Sequence, residues 1–289
     1  MANIKDLKKK IKSTKGTLKI TSAMKLVSAA KLAKAQQAIL SSRPYANELE
    51  LTIKTISALV ENYSHKYLEE NNASDREVLL VISSNKGLCG GYNGNLAKEV
   101  RKYLANTDTD VRCYFIGKKV KELLEKEANI GKMFNFSKAE PTFLEIEEVG
   151  QELAELFSTG EVGRVKVAYN QFNSAISFTP TIKQLLPISM NFKEKVELEE
   201  KFPFDFKYEP EPSEILDTLI PETFVTSLYT SLLDGVAAEH GSRMAAMDNA
   251  VSNCKDAIKT QTLKMNKLRQ AAITTELIEV VSGAESLNG

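Results

Sequence analysis

Leu232-Leu-Asp-Gly-Val-Ala-Ala-Glu-His240-Gly-Ser-Arg243-Met-Ala-Ala-Met247-Asp-Asn-Ala-Val251-Ser-Asn-Cys254-Lys-Asp-Ala-Ile258-Lys-Thr-Gln261-Thr-Leu-Lys-Met265-Asn-Lys-Leu268-Arg269-Gln270 is the stretch that decides the fold. Leu233, Ala237, His240, Met244, Met247, Val251, Cys254, Ile258, Gln261, Met265, Leu268 and Ala272 recur at alternating steps of four and three. That spacing is a heptad seam, the mark of a helix that lies against another helix along its whole length. Pro221 stands just ahead of the pattern, where a proline suits a first helical turn, and no proline follows it. A helix from Glu222 to about Glu285 would be a rod of roughly 95 Å at 1.5 Å per residue. A rod of that length cannot hide inside a domain of this size. It needs a partner helix and something to surround it.

The partner is legible at the other end of the chain. Ile4, Leu7, Ile11, Thr14, Leu18 and Thr21 keep the same alternation; Met24 and Val27 continue it with a slight drift. Beyond them Ala29, Ala30, Ala33, Ala35 and Ala38 predict a small-residue face that lets a second helix approach closely. Pro44 is expected to kink or break this helix after Ser42, with a second piece running to about Asn62. The heptads alone leave parallel and antiparallel pairing both open. Lys5, Lys8, Lys12, Lys15 and Lys19 form a basic stripe, with Lys25, Lys31 and Lys34 beyond; Asp6 is the sole acid before Glu48. Such a stripe is either a solvated helix face or a surface that meets an acidic partner. No aromatic residue interleaves the lysines before Tyr45, and the chain's formal net charge is zero, which argues against nucleic acid.

Between the helices the period changes. Val78 to Ile82, Val111 to Ile116 and Val165 to Tyr169 are short apolar runs, as in buried strands. Helical patterns over Asn95 to Ala105, Lys118 to Glu127 and Phe143 to Phe157 separate them. That alternation predicts a parallel sheet covered on both faces. Ile176, Phe178 and Ile182 suggest one more strand, and an acidic, proline-bearing connector leads from Asn191 to Pro212. The 289 residues, 43% hydrophobic and 26% charged, suffice for a core and an extended element. No apolar run approaches the ~18 residues of a membrane span. Cys89, Cys113 and Cys254 are an odd number at no metal-like spacing, and read as reduced thiols of a cytoplasmic protein.

Ser83-Ser-Asn-Lys-Gly87-Leu-Cys-Gly90-Gly91-Tyr-Asn-Gly94 follows the first strand and opens a helix, so its backbone could cradle a phosphate. The Gly-Lys-Ser/Thr element of a phosphate loop is missing. The second strand ends in Ile116-Gly-Lys118 rather than in an acid for a ribose. The plainer reading is a tight strand-to-helix turn. His65 and His240 are far apart, and His240 falls on the seam, which favours packing or an interfacial contact over catalysis. No acid–base pair, nucleophile cluster, metal set or cofactor motif stands out.

Ile273-Thr-Thr-Glu276-Leu-Ile-Glu279 followed by Gly283-Ala-Glu-Ser286 resembles the C-terminal signature of the gamma-subunit family of F-type ATP synthases. Ile20-Thr-Ser-Ala-Met24-Lys25, Gly87-Leu-Cys-Gly-Gly-Tyr-Asn93, Tyr169-Asn-Gln-Phe172, Leu185-Leu-Pro187, Arg243-Met-Ala-Ala-Met247 and Arg269-Gln270 fit the same family in the same order. The resemblance covers nearly the whole chain. It implies an α/β fold in which two long terminal helices form an antiparallel coiled coil, with a central Rossmann-like domain with a mostly parallel sheet clasped at its base. The expected partition is 1–62 and 213–289 for the coiled coil, 75–190 for the α/β domain and 191–212 for the connector.

The resemblance also implies a rotor shaft. It would couple proton flow through the membrane sector to ATP synthesis, or reverse hydrolysis, in a ring of catalytic and non-catalytic subunits. An epsilon subunit and a membrane rotor ring are the other implied partners, on the cytoplasmic face of a bacterial plasma membrane. Membrane association would pass through those partners, and catalysis and cofactors would belong to the ring. Implied contact residues are Met24, Lys25, Arg243, Arg269, Gln270, Thr274 and Glu276. On the helix Gln270 lies roughly 200° from seam residue Leu268, and Thr274 shares its face; Arg269, Ile273 and Glu276 form a neighbouring stripe. Two departures stand out. Asn85-Lys86 replaces the family's Asp-Arg, and Gly241 interrupts the long helix, where it is expected to soften the shaft. A structural coiled-coil adaptor and a nucleotide-binding α/β enzyme are the alternatives outside this family.

Overall fold

The computed structural model describes residues 4–60, 63–69, 74–136, 141–188 and 208–288. Helix α1 covers Ile4–Leu59. Strand β1, Arg76–Ile82, is followed by α2, Tyr92–Ala105, and β2, Asp110–Ile116. Then come α3, Lys118–Leu124, β3, Asn129–Phe134, and α4, Phe143–Ser158. Strands β4, Arg164–Ser174, and β5, Ser177–Leu186, form a hairpin, and α5 runs over Pro212–Asn288. The connector expected at 191–212 lies largely outside the described residues, which resume at 208.

The five strands lie in the order β3-β2-β1-β4-β5. The first four are parallel and β5 pairs antiparallel with β4. Strand β1 is central, and from Glu77 onward every one of its residues is buried, so its sequence reads as a continuous apolar run rather than an alternation. Leu79 and Val81 face one side with Leu96, Val100 and Phe115, under α2 and α3. Val78, Leu80 and Ile82 face the other, under Ile146, Leu153 and Phe157 of α4 and Phe224, Leu228 and Leu232 of α5. Helix α4 starts on a capping box: Thr142 Oγ1 accepts from the Glu145 amide while Glu145 accepts from the Thr142 amide. Strand β3 and the length of the β4–β5 hairpin were not expected, and α2 begins at Tyr92 rather than Asn95.

The long helices differ from expectation in three respects. Helix α1 runs unbroken through Pro44 for 56 residues. Helix α5 begins at Pro212, so this proline takes the first turn and Pro221 lies inside the helix. On α1 the covered face does not drift. It continues from Thr21 through Lys25, Ser28, Leu32, Ala35, Ile39, Ser42, Ala46, Leu49, Ile53 and Ile56, in unbroken steps of three and four. Val27, Ala30 and Ala33 are exposed. Polar side chains at Lys25 and Ser28 disguise the seam beyond Thr21, which is why apolarity alone misplaces it.

The chain divides into two compact units. One joins Met1–Ser28 with Arg243–Gly289; the other holds Ala29–Ser242, with the sheet. In the first, the α5 seam residues from Met244 to Ala272 are all covered at least in part, and Lys25 Nζ donates to Asp248 Oδ1 at 2.6 Å. In the second, Leu49, Ile53 and Ile56 of α1 share an apolar cluster with Leu216 and Ile220 of α5, and Arg43 approaches Asp234 at 3.5 Å.

Candidate partner-contact residues and the glycine turn

The expected contact residues fall into two groups on the helical unit. Lys25 and Met24 lie half-exposed on α1, and Lys25 is committed to Asp248 of its own chain. Asp248 carries no family motif, and sequence reasoning missed it. Both partners remain open to water, with side-chain exposures of 39% and 59%, so the pair contributes ~0–1 kcal/mol. Arg243 lies five residues before Asp248 and is only 9% exposed, so little of it is presented outward. Lys5, Lys8, Lys12, Lys15 and Lys19 are all exposed, each one residue after a seam position, so they line one flank of the covered face.

Arg269, Gln270, Thr274 and Glu276 are all exposed, as their spacing relative to Leu268 predicts. Thr274 Oγ1 donates to the Gln270 carbonyl at 2.9 Å, which ties the two into one helical turn. From Ile273 to Ala284 every residue is exposed, including Ile273, Leu277, Ile278, Val280 and Val281. No basic residue stands in the last turn. An apolar, cation-free helix end is a poor match to bulk water. Along α5, Gln270 stands roughly 33 Å beyond Asp248. The structure therefore does not bring the Lys25 group and the Gln270 group together.

The glycine turn lies at the carboxyl ends of β1 and β4, where the strand order of an open α/β sheet reverses and ligands commonly bind. Here the crevice is filled by the chain itself. Asn93 Nδ2 donates to Ser84 Oγ at 2.7 Å and to Cys89 Sγ at 3.1 Å, and Ser84 Oγ donates to the Lys86 carbonyl. Tyr92 Oη donates to the Gly235 carbonyl and Asn170 Nδ2 to the Tyr92 carbonyl. Gly117, at φ +83°, is needed where the next turn passes Ser83: an added Cβ would stand 2.0 Å from the Ser83 carbonyl oxygen. The turn is thus a folded joint. Among the described residues no group of three or more His, Cys, Asp or Glu could hold a metal, and no helix is long and apolar enough to cross a membrane. Burial pushes the Cys113 thiol up to about 12, with a further push from Glu77, so it is no nucleophile.

A polar cavity of about 350 Å³ opens between Arg43, Lys183, Asp234 and the hydroxyls of Thr223, Thr226 and Ser231. Burial raises the Asp234 carboxyl above its ordinary value against the opposing pull of Arg43. Arg43 and Lys183 face two acids in this lining, Asp234 and Glu50, so the cavity offers no net formal charge to a ligand.

The family model described as ATP synthase matches residues 3–287. The ATP synthase gamma chain of Trichlorobacter lovleyi is 36% identical over 292 residues, and that of Christiangramia forsetii 40% over 294, each covering all of both chains. A chain in the structure of the Euglena gracilis mitochondrial ATP synthase, OSCP/F1/c-ring, aligns with a TM-score of 0.67 at 19% identity, covering 98% of this chain and 94% of that one. A chain of the Tetrahymena thermophila mitochondrial ATP synthase central stalk/c-ring aligns at 0.60 and 24% identity, over 80% of this chain and 99% of that one. At those identities the two structures speak to fold. The full-length sequence matches carry the assignment: with its helical seams, its sheet and its terminal motifs, this chain belongs to the gamma chain family of ATP synthases.

Proposed function

We propose that this chain is the central rotor shaft of a proton-driven ATP synthase, a non-catalytic subunit that carries rotation between a membrane ring and a catalytic ring. The observation that carries this reading is the covered heptad face on each long helix, from Ile4 to Ile56 on α1 and from Leu233 to Ala272 on α5. A shaft must be stiff in torsion, and two paired helices are far stiffer than one. An antiparallel coiled coil is supported by the order of the contacts: Lys25 meets Asp248, Arg43 meets Asp234, and Leu49 to Ile56 meet Leu216 and Ile220. Numbers rise on α1 as they fall on α5. The partition into helices at 1–62 and 213–289, domain at 75–190 and connector at 191–212 follows the same reading.

The gamma-chain relatives lend their name to the role, and the structural neighbours belong to a central stalk with a c-ring and to an F1/c-ring assembly. Catalytic and non-catalytic ring subunits, an epsilon subunit and a membrane rotor ring are then the partners, at the cytoplasmic face of a bacterial plasma membrane. The exposed apolar end at Ile273 to Val281 suits a sleeve formed by the ring. Arg269, Gln270, Thr274 and Glu276 are the polar contacts just below it; Met24, Lys25 and Arg243 form the lower group. The shaft would act by touching each catalytic subunit differently and so shifting its conformational populations.

Gln270→Cys tests the reading in the assembled complex, with the half-covered Cys254 replaced by serine to remove its background. Oxidation is expected to link residue 270 to a ring subunit and stop multi-turn ATP hydrolysis, with recovery on reduction. A crosslink confined to α1 of the same chain would place residue 270 inside the coiled coil and overturn the assignment.

A further inference from the structure

Two glycines six residues apart stand inside α5, at Gly235 and Gly241. Each costs about 1 kcal/mol relative to alanine in a helix interior, so an exposed rod would not be expected to keep them. Neither is exposed. A Cβ on Gly241 would stand 2.7 Å from the carbonyl oxygen of Ala175, at the tip of the β4–β5 hairpin. A Cβ on Gly235 would press on Ile82 Cγ2 at 3.3 Å and on the Tyr92 hydroxyl at 3.5 Å. Gly241 lets the hairpin backbone lie directly on the helix.

Polar contacts reinforce the approach from the same side. Tyr92 Oη donates to the Gly235 carbonyl at 3.0 Å. Ser242 Oγ donates to the Cys89 carbonyl at 2.5 Å. Cys89, Tyr92 and Ala238 form one buried cluster with Phe172 and Phe178 packed against it. All these groups lie within the sheet-bearing unit. The glycine turn, the hairpin tip and two turns of α5 thus interlock at the crevice that other sheets of this topology leave open for a ligand.

We propose that residues 235–242 of α5, held by Tyr92, Cys89 and Ala175, are the clamp through which the α/β domain transmits torque to the shaft. The inference rests on the rotor reading. Rotation delivered to the domain must enter α5 without slip. Apolar packing alone resists separation better than sliding, because dispersion is non-directional. Directed hydrogen bonds and a backbone-on-backbone contact set the rotational phase. Tyr92 and Ser242 are positioning residues.

The test pairs Tyr92→Phe with Ser242→Ala, which removes two hydroxyl donors while keeping the packing. Amide exchange of the full-length chain reads the clamp itself. The double variant is expected to exchange at least tenfold faster over residues 174–177 and 235–242, with β1 and β2 unchanged. In the assembled complex, ATP hydrolysis is expected to stay within twofold of the parent while protons pumped per ATP fall at least threefold. Unchanged exchange would show that the two donors hold nothing. Faster exchange with an unchanged pumping ratio, or with hydrolysis and pumping falling in proportion, would show a structural contact without a torque role. If the parent chain does not couple hydrolysis to pumping at all, the rotor reading fails, while the exchange result still judges the contact. Gly241→Ala serves as a second variant: it should give the same split between hydrolysis and pumping by displacing the hairpin rather than by removing a donor.

Discussion

Lys166 of β4 stands 2.8 Å from Glu77 of β1, whose side chain is 1% exposed. Tyr103 of α2 completes the group, donating to Glu77 Oε1 and accepting from Lys166 Nζ, each at 2.6 Å. Burial alone would lower the Lys166 ammonium, but its interactions with Glu77 and Tyr103 outweigh that and hold it above its ordinary value. A raised folded pKa means stability that is fully present below the unfolded value and lost as pH rises through the folded one, so this contribution persists at neutral pH and fades only in strong alkali. Lys166→Met should leave a buried carboxylate uncompensated and lower stability by about 3 kcal/mol, read as a shift in denaturant midpoint. The pair Glu77→Gln with Lys166→Met should recover most of that loss; no recovery would mean that Glu77 is stabilised by other groups. Nothing in the sequence marks these residues. Glu77 heads an apolar run and Lys166 interrupts one, and either is an ordinary solvated strand end until the sheet order places them side by side. Asp248, the partner of Lys25, was illegible for the same reason: the contact joins residues 223 positions apart.

At the scale of elements, legibility followed burial. Strand β1 is read from sequence because both its faces are covered, leaving an apolar run. Strand β3, Asn129-Ile-Gly-Lys-Met-Phe134, sits at the sheet edge with its residues exposed or half-covered, so a lysine and a glycine break the run and hide it. Gly131 is there because a Cβ would meet the Tyr114 ring at 2.3 Å. The α5 seam was legible from Leu233 to Ala272; the α1 seam was legible through Thr21 and was lost beyond it, where Lys25 and Ser28 put polar side chains on the covered face. The helix does not break at Pro44, because proline removes one hydrogen bond of a helix that packing on a long face still holds together. The glycine turn was legible as a turn, and its structural reading is supported by the Ser84–Asn93–Cys89 bonding and by the α5 residues that close the crevice. Calorimetric titration of the isolated chain with ATP or NAD should therefore give no saturable heat. Tight binding of either would require the turn to open and would revive the enzyme reading.

On the scale of the whole molecule, formal charge is zero yet the first helix is basic on one flank, so attraction is local rather than general. Lys25 stands on the covered seam beyond that flank, and it either meets an acidic partner or only serves the chain's own fold. Its ammonium is already 2.6 Å from Asp248, so a charge reversal acts in two places at once. Lys25→Glu would repel Asp248, and it would also repel any acidic loop of a catalytic subunit. The two effects separate in the swapped variant that combines Lys25→Glu with Asp248→Lys. The swap restores an ion pair between the helices, worth ~0–1 kcal/mol for exposed partners, and so should restore the stability of the helical unit to near the parent. It does not restore a positive charge at position 25. If Lys25 meets an acidic loop, protons pumped per ATP should remain depressed in the swap as in the single variant, and the deficit should shrink as salt rises, since exposed charges are screened within about 10 Å at 0.1 M. Assembly should survive in every variant, because a surface pair is too weak to hold the complex. Full recovery of pumping in the swap would assign Lys25 to the intrachain pair alone and remove it from the contact surface.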